Sequence, residues 1–112
     1  MKIPNGDRAI IDKSKLTDYA LNINHDRGGP KAKKLIRYGY SPDNWQQLEL
    51  DIRKYHLTAD IRIEKATRYG TRYEIRAALL APINKPLYVR TIWQIDNGTD
   101  LPRLITLVPT SK

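Results

Sequence analysis

The stretch Thr71-Arg72-Tyr73-Glu74-Ile75-Arg76-Ala77 alternates between charged side chains and side chains that favour burial. A repeat of two residues is typical of a β-strand with one buried and one solvated face. Three further stretches have the length and composition of strands: 59–64, 87–94 and 103–108. Tyr69-Gly70 predicts a hairpin turn before the quoted stretch. The second half of the chain therefore predicts an antiparallel meander of about four strands.

The first half carries helical patterns instead. We predict helices over residues 15–21, 30–38 and 42–55, preceded by an N-terminal arm over residues 1–12. Ser14 and Ser41 are the expected N-caps and Gly39 the expected end of the second helix, with Ile36 and Leu50 among the inward side chains. Helices followed by hairpin-linked strands predict an α+β fold in a single domain, residues 1–112. The N-terminal helices should pack on one face of a roughly four-stranded antiparallel sheet and leave the other face partly open.

The charge balance favours polyanionic partners. The chain of 112 residues has 20 Lys plus Arg against 12 Asp plus Glu, a formal charge of +8. Nucleic acid is the first candidate partner and an acidic protein the second. No run approaches the roughly 20 apolar residues of a membrane span, so no membrane anchoring is expected in this domain. The chain has no cysteine, and its first residues do not resemble a secretory signal.

The segment from Asn22 to Lys34 combines a histidine, two glycines and a proline with three lysines, Lys31, Lys33 and Lys34. The lysines fall on the predicted start of the second helix, where unpaired N–H groups favour anions. His25 could exchange protons with a phosphate-containing ligand bound there. The alternative is a surface loop followed by a solvated basic turn.

Metal chemistry is not indicated by the sequence. The chain lacks the common metal-ligand and phosphate-binding motifs, and its aspartates are scattered, so we expect neither a metal nor a cofactor. RNA can be cut without a metal, because its own 2′-OH is the nucleophile. His25 could transfer protons, Lys31, Arg90 and Arg103 could bind phosphate, and the hydroxyls of Thr91, Thr106 and Tyr73 could donate hydrogen bonds. His56 is explained more simply by its place at the end of a helix.

Two alternatives remain open for the strands. The arginines of the first two predicted strands, Arg62, Arg72 and Arg76, could form an ordinary solvated sheet face or could bind RNA. Trp93 could pack in the core or contact a substrate.

Several motifs in order resemble a known bacterial family. They are Lys15-Leu16-Thr17-Asp18-Tyr19-Ala20-Leu21-Asn22, Asn24-His25 through Lys31-Ala32-Lys33, Tyr69-Gly70-Thr71-Arg72-Tyr73, Val89-Arg90-Thr91-Ile92-Trp93 and Pro102-Arg103-Leu104-Ile105-Thr106. The chain resembles an uncharacterised domain family found at the C-terminal ends of polymorphic and contact-dependent growth-inhibition toxins. The resemblance implies a fold similar to the barnase/EndoU/colicin/RelE group of metal-independent ribonucleases.

The motifs and the resemblance together lead to a ribonuclease toxin, expected to cleave tRNA and leave a 2′,3′-cyclic phosphate. Its expected catalytic residues are His25, Lys31, Arg90, Thr91, Arg103 and Thr106. Its expected substrate-binding residues are Lys33, Lys34, Arg72, Tyr73 and Trp93. The resemblance also implies an acidic immunity protein as partner, and action in the cytoplasm of a target bacterium after delivery as part of a larger toxin. The alternative is a non-catalytic basic module that binds RNA or protein.

Overall fold

The computed structural model describes residues 1–24 and 29–111. Its helical part contains helix α1, Gly29–Arg37, and helix α2, Trp45–Asp51, with shorter 3₁₀ and π-helical turns at Gly6–Arg8, Lys15–Ala20, Pro42–Asn44 and Ile52–His56. Its strands are β1, Ile63–Thr67, β2, Gly70–Leu80, β3, Pro86–Asp96, and β4, Arg103–Pro109.

The four strands form one sheet in the order β1-β2-β3-β4, and every neighbouring pair is antiparallel. The predicted α+β class, with N-terminal helices and a four-stranded antiparallel sheet, is confirmed. The predicted turn at Tyr69-Gly70 is confirmed as well, since Thr67 pairs with Gly70 at the end of the first hairpin. A register shift between Ile92 and Trp93 moves β4 along β3.

The first strand begins later than its alternation predicts. β1 starts at Ile63 instead of residue 59. Residues 60 and 61 pair with the N-terminal arm: the Ile61 N–H donates to the Met1 carbonyl at 2.8 Å, and Asp60 binds the terminal ammonium and Lys2 at 3.0 Å each. Residues 60 and 61, which the alternating pattern assigns to the first strand, thus pair with the N-terminal arm instead of the sheet.

The predicted helix caps have mixed outcomes. Ser41 forms a capping box with Asn44, and Gly39 follows α1 with a φ of 103°, as predicted. Ser14 makes no side-chain cap bond. The inward placement of Ile36 and Leu50 is wrong, because 37% and 61% of their surfaces are exposed.

The core lies between the helical layer and one face of the sheet. It includes Leu35 of α1, Leu48 of α2 and the strand residues Ile75 and Trp93. The Tyr40 hydroxyl donates to Asp51 at 2.5 Å and links the end of α1 to α2, and burial is the main cause that raises the pKa of this hydroxyl. Because the helices occupy one side of the sheet, the opposite side chains of β2 and β3 are available for other contacts.

Candidate functional site

The sheet surface opposite the helices, which we call the open face, is rich in cations. Residues paired across neighbouring strands share a face. The pairing therefore places these residues on the open face: Lys65 of β1, Arg72, Glu74 and Arg76 of β2, Arg90, Ile92, Gln94 and Asp96 of β3, and Arg103, Thr106 and Val108 of β4. Cationic side chains outnumber the two acids among them, Glu74 and Asp96, so this face attracts anions.

Three arginines surround the carboxylate of Glu74, a group we call the arginine cluster. The Arg76 Nε lies 3.4 Å and the Arg62 Nε 3.8 Å from Glu74 Oε2, and the Arg90 Nη1 lies 3.5 Å from Oε1. The Glu74 side chain is only 10% exposed. Two buried polar atoms of the arginine cluster, Glu74 Oε2 and Arg90 Nε, have no hydrogen-bond partner among the described residues. The sequence predicted Arg90 as a phosphate ligand and left Arg62 and Arg76 open between a solvated sheet face and RNA binding. It did not predict that these three arginines meet at Glu74.

A second network joins two other predicted residues. The Arg72 Nε donates to Gln94 Oε1 at 3.0 Å, Gln94 donates to Asp96, and the Arg103 Nε donates to Asp96 Oδ2 at 2.7 Å. The hydrogen bond from Arg103 is the main cause that lowers the pKa of Asp96. The structure therefore brings Arg72 and Arg103 into one chain of contacts, with Asp96 partly balancing the charge of Arg103.

Thr91 and Trp93 lie on the core side of β3 and are fully buried. The Trp93 Nε1–H donates to Thr91 Oγ1 at 2.8 Å, and Thr91 Oγ1 lies 2.8 Å from His56 Nδ1. Neither side chain is accessible to a polynucleotide. The expectation that they touch a substrate is corrected accordingly: their polar atoms support the core beneath the open face.

His56 completes this buried network. Its Nε2 lies 2.9 Å from the Ala77 carbonyl, which can only accept, so Nε2 carries the proton. Nδ1 then accepts from the Thr91 hydroxyl, and the neutral imidazole has both nitrogens paired. The interaction with a helix end that the sequence suggested is replaced by a pair of buried contacts to the sheet, one to β2 and one to β3.

This arrangement makes the protein sensitive to acid. Burial lowers the pKa of His56 from 6.5 to about 4, so the unfolded chain binds a proton at mildly acidic pH that the folded protein does not. We expect the free energy of unfolding to fall as the pH drops from about 6.5 to about 4, by on the order of 3 kcal/mol in total. Urea unfolding at several pH values measures it. His56→Gln, which keeps a donor and an acceptor, should flatten this pH dependence, and an unchanged slope would contradict the assignment.

The remaining predicted residues are spread over the molecule. Tyr73 faces the core and is only 6% exposed, so its expected contact with substrate is corrected. Burial is also the main cause that raises the pKa of its hydroxyl. Thr106 is half-buried and borders a cavity of about 450 Å³ beside Asp18 and Tyr19. Lys31 and Lys33 are exposed on α1 and Lys34 is half-buried there; this helix contacts β4 and the Lys15–Ala20 turn. His25 lies outside the described residues, so its role stays a prediction.

In residues 1–24 and 29–111, no three His, Asp or Glu side chains gather closely enough to hold a metal ion. Over the same residues, no helix has the length and apolar character needed to cross a bilayer.

A basic α+β domain with a cationic open sheet face is the class of protein that this geometry defines. The chain belongs to the family described as Domain of unknown function (DUF6883), whose model matches residues 2–111. No protein with a curated description matches its sequence. The fold is similar to a chain in the contact-dependent growth inhibition toxin–immunity protein complex from Klebsiella pneumoniae 342. That similarity has a TM-score of 0.69 and 17% identity, and covers 91% of this chain and 100% of the other.

Proposed function

We propose that this protein is a ribonuclease toxin that cleaves RNA, with tRNA as the expected substrate. The observation that carries the proposal is the open face, where Arg90 and its neighbours offer guanidinium donors in excess of the acids beside them. The fold similarity to a chain of a toxin–immunity complex supports the toxin role. The predicted histidine motif supports the chemistry.

The proposed reaction uses the substrate's own 2′-OH as nucleophile. This oxygen loses its proton and attacks the adjacent phosphorus, and the 5′-oxygen of the next nucleotide leaves with a proton, so a 2′,3′-cyclic phosphate and a 5′-hydroxyl result. His25 is the proposed proton-transfer residue. Arg90 holds the phosphate on the open face, and Arg72 and Arg103 hold a neighbouring part of the RNA backbone.

The lysines of α1 have a different proposed role. Lys31 and Lys33 are exposed and Lys34 is half-buried, and no hydrogen bond or ion pair links them to the open face in the part of the chain that the structure describes. We assign them to contacts with the RNA backbone outside the reacting phosphate, which raise affinity and its salt dependence. The original expectation that Lys31 acts in catalysis is thereby narrowed to binding.

The biological role follows from the toxin proposal. A cell that makes such an enzyme requires protection, and an acidic immunity protein that complements the cationic open face is the expected partner. Action would take place in the cytoplasm of the target bacterium after delivery as part of a larger toxin.

The test is to incubate the purified protein with total RNA in EDTA. We expect shortened tRNA, and cleavage that is lost in His25→Ala. Intact RNA at enzyme excess, combined with binding that weakens steeply with salt, would instead establish the second candidate, a non-catalytic RNA-binding module. That candidate is favoured by the burial of Thr91 and Tyr73, which removes two hydroxyls from the expected site.

A further inference from the structure

The arginine cluster has more donors than its single carboxylate can use. Glu74 receives one hydrogen bond from the three guanidinium groups, from Arg90 at 3.5 Å, and the nitrogens of Arg62 and Arg76 stand 3.4 to 3.8 Å away. Charge-assisted bonds between guanidinium and carboxylate are usually near 2.8 Å. The cluster is therefore too loose to be explained as a closed set of ion pairs.

The strand register brings like charges together in the arginine cluster, which destabilises the sheet there. Arg76 and Arg90 are directly opposite each other on β2 and β3, a placement in which like charges destabilise a sheet. Arg62 lies beside this pair, because its backbone N–H donates to the Glu74 carbonyl at 2.7 Å. Three positive groups are thus concentrated around one carboxylate that is nine-tenths buried.

Polar atoms at the centre of the cluster lack partners. Within the described residues, Arg90 Nε and Glu74 Oε2 are buried without a hydrogen bond. Buried polar atoms are normally paired, so these two show that the cluster does not satisfy its own polar atoms. The side chains of the three arginines are 36% to 54% exposed, so a ligand can reach them from solvent.

We propose that Arg62, Arg76 and Arg90 form a binding site for a phosphate group that carries two negative charges, with Glu74 as the positioning residue. Three guanidinium charges less one carboxylate charge leave two positive charges, which match a dianion. Glu74 keeps the guanidinium groups together from the buried side while their outer donors contact the phosphate oxygens.

This inference rests on the proposed function and deepens it. The backbone phosphate of RNA carries one negative charge, and attack by a deprotonated 2′-oxygen adds a second. A site matched to two charges binds the reacting phosphorus group more tightly than the resting substrate, which is the condition for accelerating the chemical step. Arg62 and Arg76 thereby join Arg90 as phosphate ligands.

A matched pair of ligands tests the site without any cleavage. Adenosine 3′-monophosphate carries two charges at pH 8, because its second pKa is about 6, whereas adenosine 2′,3′-cyclic monophosphate carries one on the same base and sugar. Calorimetry in EDTA should show the monoester binding the wild-type protein at least about tenfold more tightly. Equal affinities would overturn the inference, and this comparison requires no variant to fold.

Variants then locate the site. Arg62→Gln and Arg76→Gln should each reduce the affinity for the monoester about tenfold or more and reduce its preference over the cyclic monophosphate. Arg37→Gln on α1 removes the same charge and should leave the monoester affinity unchanged. An equal loss in Arg37→Gln would also overturn the site. RNA cleavage is assayed in parallel: cleavage without a dianion preference refutes only this inference, and the preference without cleavage refutes only the proposed function.

Discussion

Thr91→Val lowers the free energy of unfolding by about 2 to 5 kcal/mol, the expected cost of leaving two buried polar groups without partners. Valine has nearly the same shape as threonine, so it removes the hydroxyl without opening a large cavity. The lost hydroxyl is the partner of both His56 Nδ1 and Trp93 Nε1, each at 2.8 Å. Urea unfolding at pH 7, followed by circular dichroism, measures the effect.

The control for this change is Thr71→Val. Thr71 lies half-buried on the neighbouring strand, and valine is well suited to a strand. We expect its stability to stay within about 0.5 kcal/mol of the wild type. A Thr91→Val protein that remains fully stable but loses RNA cleavage would contradict the structural role and restore the catalytic one.

Arg90→Gln is expected to reduce the rate of RNA cleavage about a hundredfold, the typical loss when one donor to a reacting oxyanion is removed. Glutamine keeps a polar side chain but lacks the charge and the fork of donors that contact phosphate. The effect should fall mainly on kcat if Arg90 contacts the reacting phosphate. Single-turnover cleavage of tRNA at saturating enzyme measures it directly.

Arg37→Gln is the matched control for this prediction. It removes one arginine charge from an exposed position on α1, so it changes the net charge equally without touching the open face. We expect at most a few-fold weaker RNA binding and an unchanged single-turnover rate. Equal losses in both variants would show that net charge alone matters and that Arg90 has no special position.

Much of the fold could be predicted because local patterns and tertiary partners agree. The alternation of β2 indicates both the strand and its open face, and Ser41 and Gly39 mark helix boundaries as their chemistry predicts. The start of β1 could not be predicted, because Asp60 pairs with the distant N-terminus, a contact that no local pattern contains. The exposure of Ile36 and Leu50 likewise depends on which helix face the sheet covers.

The site was less predictable than the fold for a related reason. Alternation within a strand says which residues share a face, but the register between strands decides which of them meet. Pairing of Arg76 with Arg90 brings together residues fourteen positions apart. Thr91 shares the core face of β3 with Trp93, and contact with His56 of the helical layer makes it part of the core instead of the expected surface site.

The chemistry at the ends of the cleaved RNA tests the proposed function most directly. Purified protein and tRNA are incubated in EDTA, and the fragments are treated with an enzyme that removes only terminal phosphates, with and without prior acid opening of cyclic phosphates. Attack by the 2′-OH predicts fragments that end in a 2′,3′-cyclic phosphate, paired with fragments that begin with a 5′-hydroxyl. Fragments with 3′-hydroxyl and 5′-phosphate ends, or no fragments at enzyme excess, would contradict it.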